Sequence, residues 1–378
     1  MRVLVNALSV TNLSGRHVLL GHLSKLSEWT AGEHEYVVLY HGRNKDIRRD
    51  FGKNVEWMEC PGYTARWFGR ALWEQTILPL KLSKLQIDFV FLLSGTIIPF
   101  LQLPQVSYAM NPVPLIKDLA KSRKKYLKIY LQRAGFNIAM RKAAMMLFLS
   151  DYMRQAYREN AGIKENASAI LYSGIDDDTF KAAEILFSSL KKRPFQVVSV
   201  SAMAPHKGIE TIIKAVGSVK RVYGIPIHLL LVGPWPDHEY ESKIRSLVTE
   251  MDLNDSIEFK GYVSRDELYR YYAESKIFCL MSKSESFGIP AIEAQAFGTP
   301  VVSSNCCAIP EVCGQGGIYL DPDDYEGTAQ ALAQLLADDG KWEALSGAAK
   351  KNAAKYPWGV CSKPLLQMFN IVADRVKH

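Results

Sequence analysis

The sequence predicts an α/β protein of two domains, each a parallel sheet wrapped by helices, and three observations lead there. At 378 residues the chain exceeds one ordinary core and suits two, since domains commonly hold about 100–200 residues. Short apolar runs alternate throughout with amphipathic segments of helical length, the pattern of repeated strand–helix–strand units. A turn-rich and then polar stretch, from Ser173-Gly174-Ile175-Asp176-Asp177-Asp178 to Lys191-Lys192-Arg193-Pro194, divides two such series.

In the first series the expected strands cover residues 3–8, 36–40, 89–93, 106–109, 145–149 and 169–171. In the second they cover 196–200, 227–232, 257–259, 277–281 and 300–303, each followed by a segment able to form a helix. The resulting division is an N-terminal domain at 1–175, a linker at 176–194, a C-terminal domain at 195–357, and a last helix at 358–378 expected to cross back onto the first domain. Open α/β sheets bind ligands beyond the carboxyl ends of their strands, so the loops there are where chemistry is sought.

Composition narrows the function. The net charge of +7, from 46 Lys and Arg against 39 Asp and Glu, is a modest bias toward phosphate-bearing ligands or anionic surfaces and too weak to argue for nucleic acid. Cys60, Cys279, Cys306, Cys307, Cys313 and Cys361 form no CxxC pair and no Cys/His set with metal-ligand spacing, so they read as reduced thiols of a cytosolic protein. The N-terminal MRVLVNALSV reads as a first strand and not as a secretion signal. Residues 89–116 carry no charge and are long enough to span a bilayer as a helix. Pro99, Pro104, Pro112 and Pro114 break that helix, so two buried strands joined by a loop are expected there.

The most informative segment is Ser284-Glu285-Ser286-Phe287-Gly288-Ile289-Pro290-Ala291-Ile292-Glu293-Ala294. It lies between a strand ending near Met281 and a helix with Pro290 in its first turn. A loop carboxylate such as Glu285 can accept hydrogen bonds from sugar hydroxyls, and a helix carboxylate such as Glu293 can bind a ribose diol. The helix N-terminus offers free N–H groups and positive dipole to a pyrophosphate. Two glutamates alone would more readily be a loop charge and a solvated helix residue, because matches on charged residues are common.

Glu285-Ser286-Phe287-Gly288, then Glu293-Ala294, then Gly298-Thr299-Pro300-Val301 resemble the Glu-x7-Glu signature of the GT-B-fold, retaining glycosyltransferases of family four. Lys207-Gly208, Gly233 and Gly261-Tyr262-Val263 match that family in its order. The resemblance is dense in the C-terminal half and sparse in the N-terminal half. It implies two Rossmann-like domains facing across a cleft, with a nucleotide diphosphate sugar between them and no metal or other cofactor. Lys207 would bind the donor's diphosphate, Glu285 the transferred hexose and Glu293 the ribose. Ser286 and the backbone of Phe287, Gly288 and Ile289 would meet sugar and phosphate oxygens. Retention by front-face attack, the leaving phosphate helping to deprotonate the acceptor, is also implied.

The family commonly has Arg five residues before that lysine, where this chain has Ser201-Ala202-Met203. His206 or Arg16 is the expected substitute for the second cation. Asn12-Leu13-Ser14-Gly15-Arg16 resembles the family's glycine-rich turn after the first strand, where bare backbone approaches phosphate; a single Gly there also serves as an ordinary turn. Asn111, in Ala109-Met110-Asn111-Pro112, stands where many relatives carry a His near the sugar's 6-position, and an Asx-type turn explains it equally well. Asp176-Asp177-Asp178 and Asp321-Pro322-Asp323 contain Asp-x-Asp, the metal signature of another glycosyltransferase fold, and are expected to be turn and N-cap carboxylates.

Residues 117–142 hold nine Lys or Arg (117, 121, 123, 124, 125, 128, 133, 141 and 142) and one acid, Asp118, interleaved with apolar residues. Such a basic amphipathic region suits an anionic membrane surface, and a solvated helix face is the plain alternative. The combined expectation is a cytoplasmic hexosyltransferase, peripheral at the inner face of the membrane, acting on a lipid-linked or polysaccharide precursor. A nucleotide-sugar epimerase or phosphorylase would use the same cleft, and a non-catalytic nucleotide-sugar or membrane-binding module is the reading from another class.

Overall fold

The computed structural model describes residues 1–115, 123–165 and 167–377. The chain divides into two compact units, one built from Met1–Gly174 with Trp358–His378 and the other from Ile175–Pro357.

The first unit runs β1 (Arg2–Asn6), α1 (Leu13–Trp29), β2 (Glu35–Tyr40), β3 (Val55–Glu59), α2 (Trp67–Thr76), α3 (Leu78–Leu85), β4 (Phe89–Leu92), β5 (Gln105–Ala109), α4 (Arg123–Lys142), β6 (Met145–Phe148), α5 (Asp151–Ala161) and β7 (Ser168–Ile170). Among the described residues its strands form a seven-stranded sheet in the order β3-β2-β1-β4-β5-β6-β7, every pair parallel. Central strands are apolar on both faces because helices cover both sides; β4 and β6 are buried at every residue. The uncharged stretch from residue 89 onward thus forms the buried strands β4 and β5 with a loop between them, Ile116 lying outside the described residues. No helix among the described residues is long and apolar enough to cross a membrane. Lys117, Asp118, Leu119 and Lys121 of the basic stretch also lie outside the described residues, while α4 leaves Leu127, Lys128, Tyr130 and Leu131 exposed.

The second unit runs α6 (Asp177–Ser189), β8 (Arg193–Val200), α7 (Ile209–Val222), β9 (His228–Val232), α8 (His238–Glu250), β10 (Ile257–Gly261), α9 (Arg265–Glu274), β11 (Ser275–Leu280), α10 (Ile289–Ala296), β12 (Val301–Ser304), α11 (Ile309–Cys313), β13 (Gly317–Leu320), α12 (Tyr325–Ala337) and α13 (Asp339–Ala353). Its six-stranded sheet, again parallel, has the order β10-β9-β8-β11-β12-β13. The core packs α7 and α12 on this sheet through Ile212, Ile213, Val216, Leu332 and Leu336.

The stretch 176–194, expected as a linker, is instead α6 and the start of β8. Its polar ends mislead, because Thr179 lies in the interior of the second unit with its hydroxyl 2.7 Å from that of Tyr269 on α9. Ile175 and Pro357 form a parallel bridge that closes the two ends of this unit. Beyond it, α14 (Trp358–Cys361) and α15 (Lys363–Lys377) belong to the first unit. Trp358 lies against α1, where a Cβ on Gly21 would come within 2.1 Å of its indole. Phe369 stands edge-on to Phe89 and Phe91, with ring centroids 4.9 and 5.3 Å away.

Candidate functional site

In the second unit the strand order reverses direction between β8 and β11. Loops leaving the carboxyl ends of two such strands diverge and open a crevice. The loop after β8 carries His206 and Lys207, and the loop after β11 carries Glu285 to Gly288.

These loops are joined by backbone bonds. Lys283 N–H donates to the His206 carbonyl at 2.8 Å, and the Ser282 hydroxyl donates to the same oxygen at 3.1 Å. Gly208 follows Lys207 with φ +66°, and a Cβ there would lie 2.0 Å from the Met281 carbonyl oxygen. Only glycine allows both the left-handed turn and this approach. The consequence is that the Lys207 ammonium donates to Glu285 Oε1. Both side chains are largely withdrawn from solvent, at 13% and 17% exposure, so the pair is stronger than a surface ion pair. His206, beside it, is held toward the neutral form, first by burial and then by the Lys207 charge.

Downstream, Phe287 is buried with its ring edge-on to Tyr356 at 5.8 Å, and Ser286 precedes it on the loop. Gly288 has φ +94° and caps α10, with Ile289 and Pro290 in its first turn. That turn leaves N–H groups without intrahelical acceptors, and the helix dipole favours an anion there. Glu293, one turn further, accepts from the Tyr272 hydroxyl at 3.3 Å. Burial raises its pKa to about 7, opposed in part by the Arg265 charge.

Arg265 belongs to a group that sequence reasoning missed. Its guanidinium pairs with Asp176 and donates to the Tyr269 hydroxyl at 2.6 Å, beside Glu293. The usable signal was the capping box of Ser264 and Glu267, which starts α9 and sets Arg265 in its first turn. Asp176 is thus an ion-pair partner and does not cap α6 through its side chain. Asp321 accepts from the Asp323 N–H at 2.9 Å, Asp323 pairs with Lys283 at 2.6 Å, and Asp324 provides the N-cap of α12. Among the described residues no group of three or more His, Cys, Asp or Glu could hold a metal ion. Cys306 and Cys307 lie beside the site, where the Ala308 N–H donates to the Glu285 carbonyl at 3.2 Å.

Gly15, Arg16 and Asn111 lie in the first unit. The Gly15 N–H donates to the Asn12 side chain at 2.8 Å and so caps α1. Arg16 pairs with Asp46 at 2.5 Å. Asn111 is exposed just past β5. Ala202 is exposed in the loop after β8.

Two doubly wound parallel units of this kind define the GT-B fold, and solved structures share it along nearly the whole chain. HepE from Anabaena, solved in complex with UDP and glucose, is 18% identical with a TM-score of 0.74 over 98% of this chain and 99% of that one. Sucrose-phosphate synthase from Thermosynechococcus elongatus is 17% identical with a TM-score of 0.75 over 98% and 99%. Residues 181–353 match the family described as Glycosyl transferases group 1. That match falls in the second unit, the one that carries Lys207, Glu285 and Glu293. Relatives include the D-inositol 3-phosphate glycosyltransferase of Corynebacterium urealyticum, 30% identical over 43% of this chain and 40% of that protein. The GDP-mannose-dependent alpha-(1-6)-phosphatidylinositol monomannoside mannosyltransferase of Mycobacterium tuberculosis is 28% identical over 58% and 60%. The chain spans about half the length of the curated relatives it matches.

Proposed function

We propose that this protein is a retaining, metal-independent glycosyltransferase that moves a hexosyl group from a nucleotide diphosphate sugar to a lipid-linked or polysaccharide precursor. The observation that carries the reading is the Lys207–Glu285 pair at the crevice between β8 and β11, next to the N-terminus of α10. Before the donor arrives, Glu285 neutralises Lys207. A bound diphosphate takes over the lysine, and the freed carboxylate accepts from the sugar hydroxyls. In the reaction the C1–O bond to the β-phosphate breaks while the acceptor oxygen bonds to C1 on the same face. The acceptor proton passes to the departing phosphate oxygen. Negative charge on that phosphate peaks as the bond breaks, so Lys207 and the amides of Gly288 and Ile289 stabilise the transition state more than the ground state. Glu293 holds the ribose. A hexose donor is supported by the GDP-mannose dependence of the similar mannosyltransferase and by the UDP and glucose bound to HepE, which shares the fold. The basic stretch of α4 is the proposed contact with an anionic surface.

The test is a screen of GDP- and UDP-hexoses for slow hydrolysis and for transfer to a lipid-linked acceptor, with the anomeric configuration of the product read by NMR. Retained configuration is expected, and activity persists in EDTA because the diphosphate is held by Lys207 and backbone amides. No turnover of any donor despite tight binding would identify a binding module. Interconversion of the donor without acceptor would identify an epimerase. An inverted product, or loss of activity in EDTA reversed by magnesium, would overturn the corresponding part of the reading.

A further inference from the structure

The outer face of α2 and α3 in the first unit has no use in the transferase reading, yet it exposes an unusual run of large apolar side chains. Phe68 is 67% exposed and Leu80 67%, with Trp67, Leu72 and Ile77 also exposed between and beside them. Phe68 and Leu72 have the four-residue spacing of one face of α2, and Leu80 is exposed on the following α3. Tyr63 extends the face at one end, against Gly69 at the start of α2. At the other end Phe100, 93% exposed, lines a hollow of about 390 Å³ with Leu82, Ile87 and Leu103. A second hollow of about 540 Å³ lies between Tyr63, Trp73, Ile77 and Lys81. Isolated exposed apolar residues are ordinary, but a contiguous set of this size marks a contact surface.

The charges around it say what it contacts. Arg66, Lys81 and Lys84 are exposed along the same segment. Of the nearby acids, Glu59 accepts from Tyr40, and Glu74 accepts from Asn6 at 2.7 Å with Arg70 beside it. Aromatic and aliphatic side chains flanked by cations suit the boundary of an anionic bilayer, where rings enter the acyl edge and ammonium and guanidinium groups meet phosphate. A self-complementary contact between two copies would instead set these cations against their own counterparts. We propose that the α2–α3 face docks this protein on an anionic lipid bilayer, with Trp67, Phe68, Leu72, Leu80 and Phe100 entering the interface. The docking surface is independent of donor chemistry in the second unit.

The full-length chain is sedimented with vesicles of phosphatidylcholine alone and of phosphatidylcholine mixed with phosphatidylglycerol. Binding to the mixed vesicles is expected, weakening as salt rises. A blue shift of tryptophan emission should accompany it and be lost in Trp67→Phe. The exposed triple variant Phe68→Ser, Leu80→Ser, Phe100→Ser should bind at least about tenfold more weakly, since each buried side chain it loses contributes roughly that factor. Its circular dichroism melt and its donor turnover in solution should match the wild type, which keeps the outcome separate from that of the transferase reading. The proposal is overturned if the wild type ignores both vesicles or if the triple variant binds as the wild type does, which would leave the basic helix α4 as the lipid contact. It is also overturned if the wild type is a dimer that the variant dissolves.

Discussion

At the scale of single residues, the Lys207–Glu285 pair carries the clearest expectation. Lys207→Ala should lower kcat far more than it weakens donor binding, because the lysine meets charge that is greatest in the transition state. The cost should be about 2.7–4 kcal/mol in barrier, or roughly a hundred- to thousandfold in rate, as for other preorganised charge-stabilising groups. Glu285→Ala should also impair transfer through loss of sugar orientation. Steady-state kinetics on both variants decide this, and near-wild-type transfer by both would show that the chemistry lies elsewhere. Glu293 makes a separate prediction about pH. Burial raises its folded-state pKa from 4.5 to about 7, so between those values the folded chain holds a proton that the unfolded chain has lost. Stability therefore falls as pH climbs through that window and is level on either side. Glu293→Gln should flatten this slope in denaturant titrations, and an unchanged slope would assign the effect to another group.

At the scale of elements, the loop after β8 works because one glycine lets it touch the end of β11. Gly208→Ala would place a methyl group against the Met281 carbonyl in a left-handed backbone. The conformation alone costs on the order of 1–3 kcal/mol, and relief of the clash would pull Lys207 away from Glu285. The expected result is a lowered denaturation midpoint together with a loss of turnover comparable to that of Lys207→Ala. Wild-type stability in this variant would mean that the two loops are not pressed together in solution. The cations expected to replace the family's arginine are placed differently at this scale. Arg16 is engaged by Asp46 within the first unit, and His206 is biased toward neutrality. Lys207 and the backbone amides of the α10 N-terminus thus remain the groups of the second unit on which the diphosphate reading rests.

At the scale of the whole molecule, the first unit is completed by the last residues of the chain. Phe369 is fully buried against Phe89 and Phe91, and Trp358 fills the space over Gly21. Phe369→Ala should cost about 3–5 kcal/mol, as other large-to-small core changes do. Hydrogen exchange should show the lost protection in β1 and β4 of the first unit while the second unit keeps its own. Equal loss in both units would show that they unfold as one cooperative body.

The sequence alone determined the α/β class, the two parallel sheets and the glutamate segment, because central strands are continuous apolar runs and Gly288-Ile289-Pro290 marks a helix start. It did not reveal β3 or β13. Both lie at sheet edges, where half-exposed residues break the apolar run that signals a strand. Nor did it show that residues 176–194 form a helix of the second unit, since the apolar side of α6 makes sense only once α9 lies beside it. Lys207 and Glu285 were each legible from local pattern, but their meeting was decided by strand order: 78 positions apart in sequence, they are neighbours because β8 and β11 pair at the centre of the sheet. The environment of Glu293, with Tyr272 and Arg265 brought by α9 and Asp176 by the start of α6, was likewise a product of tertiary packing, because desolvation and charge depend on what surrounds a group in space and not on what flanks it in the chain.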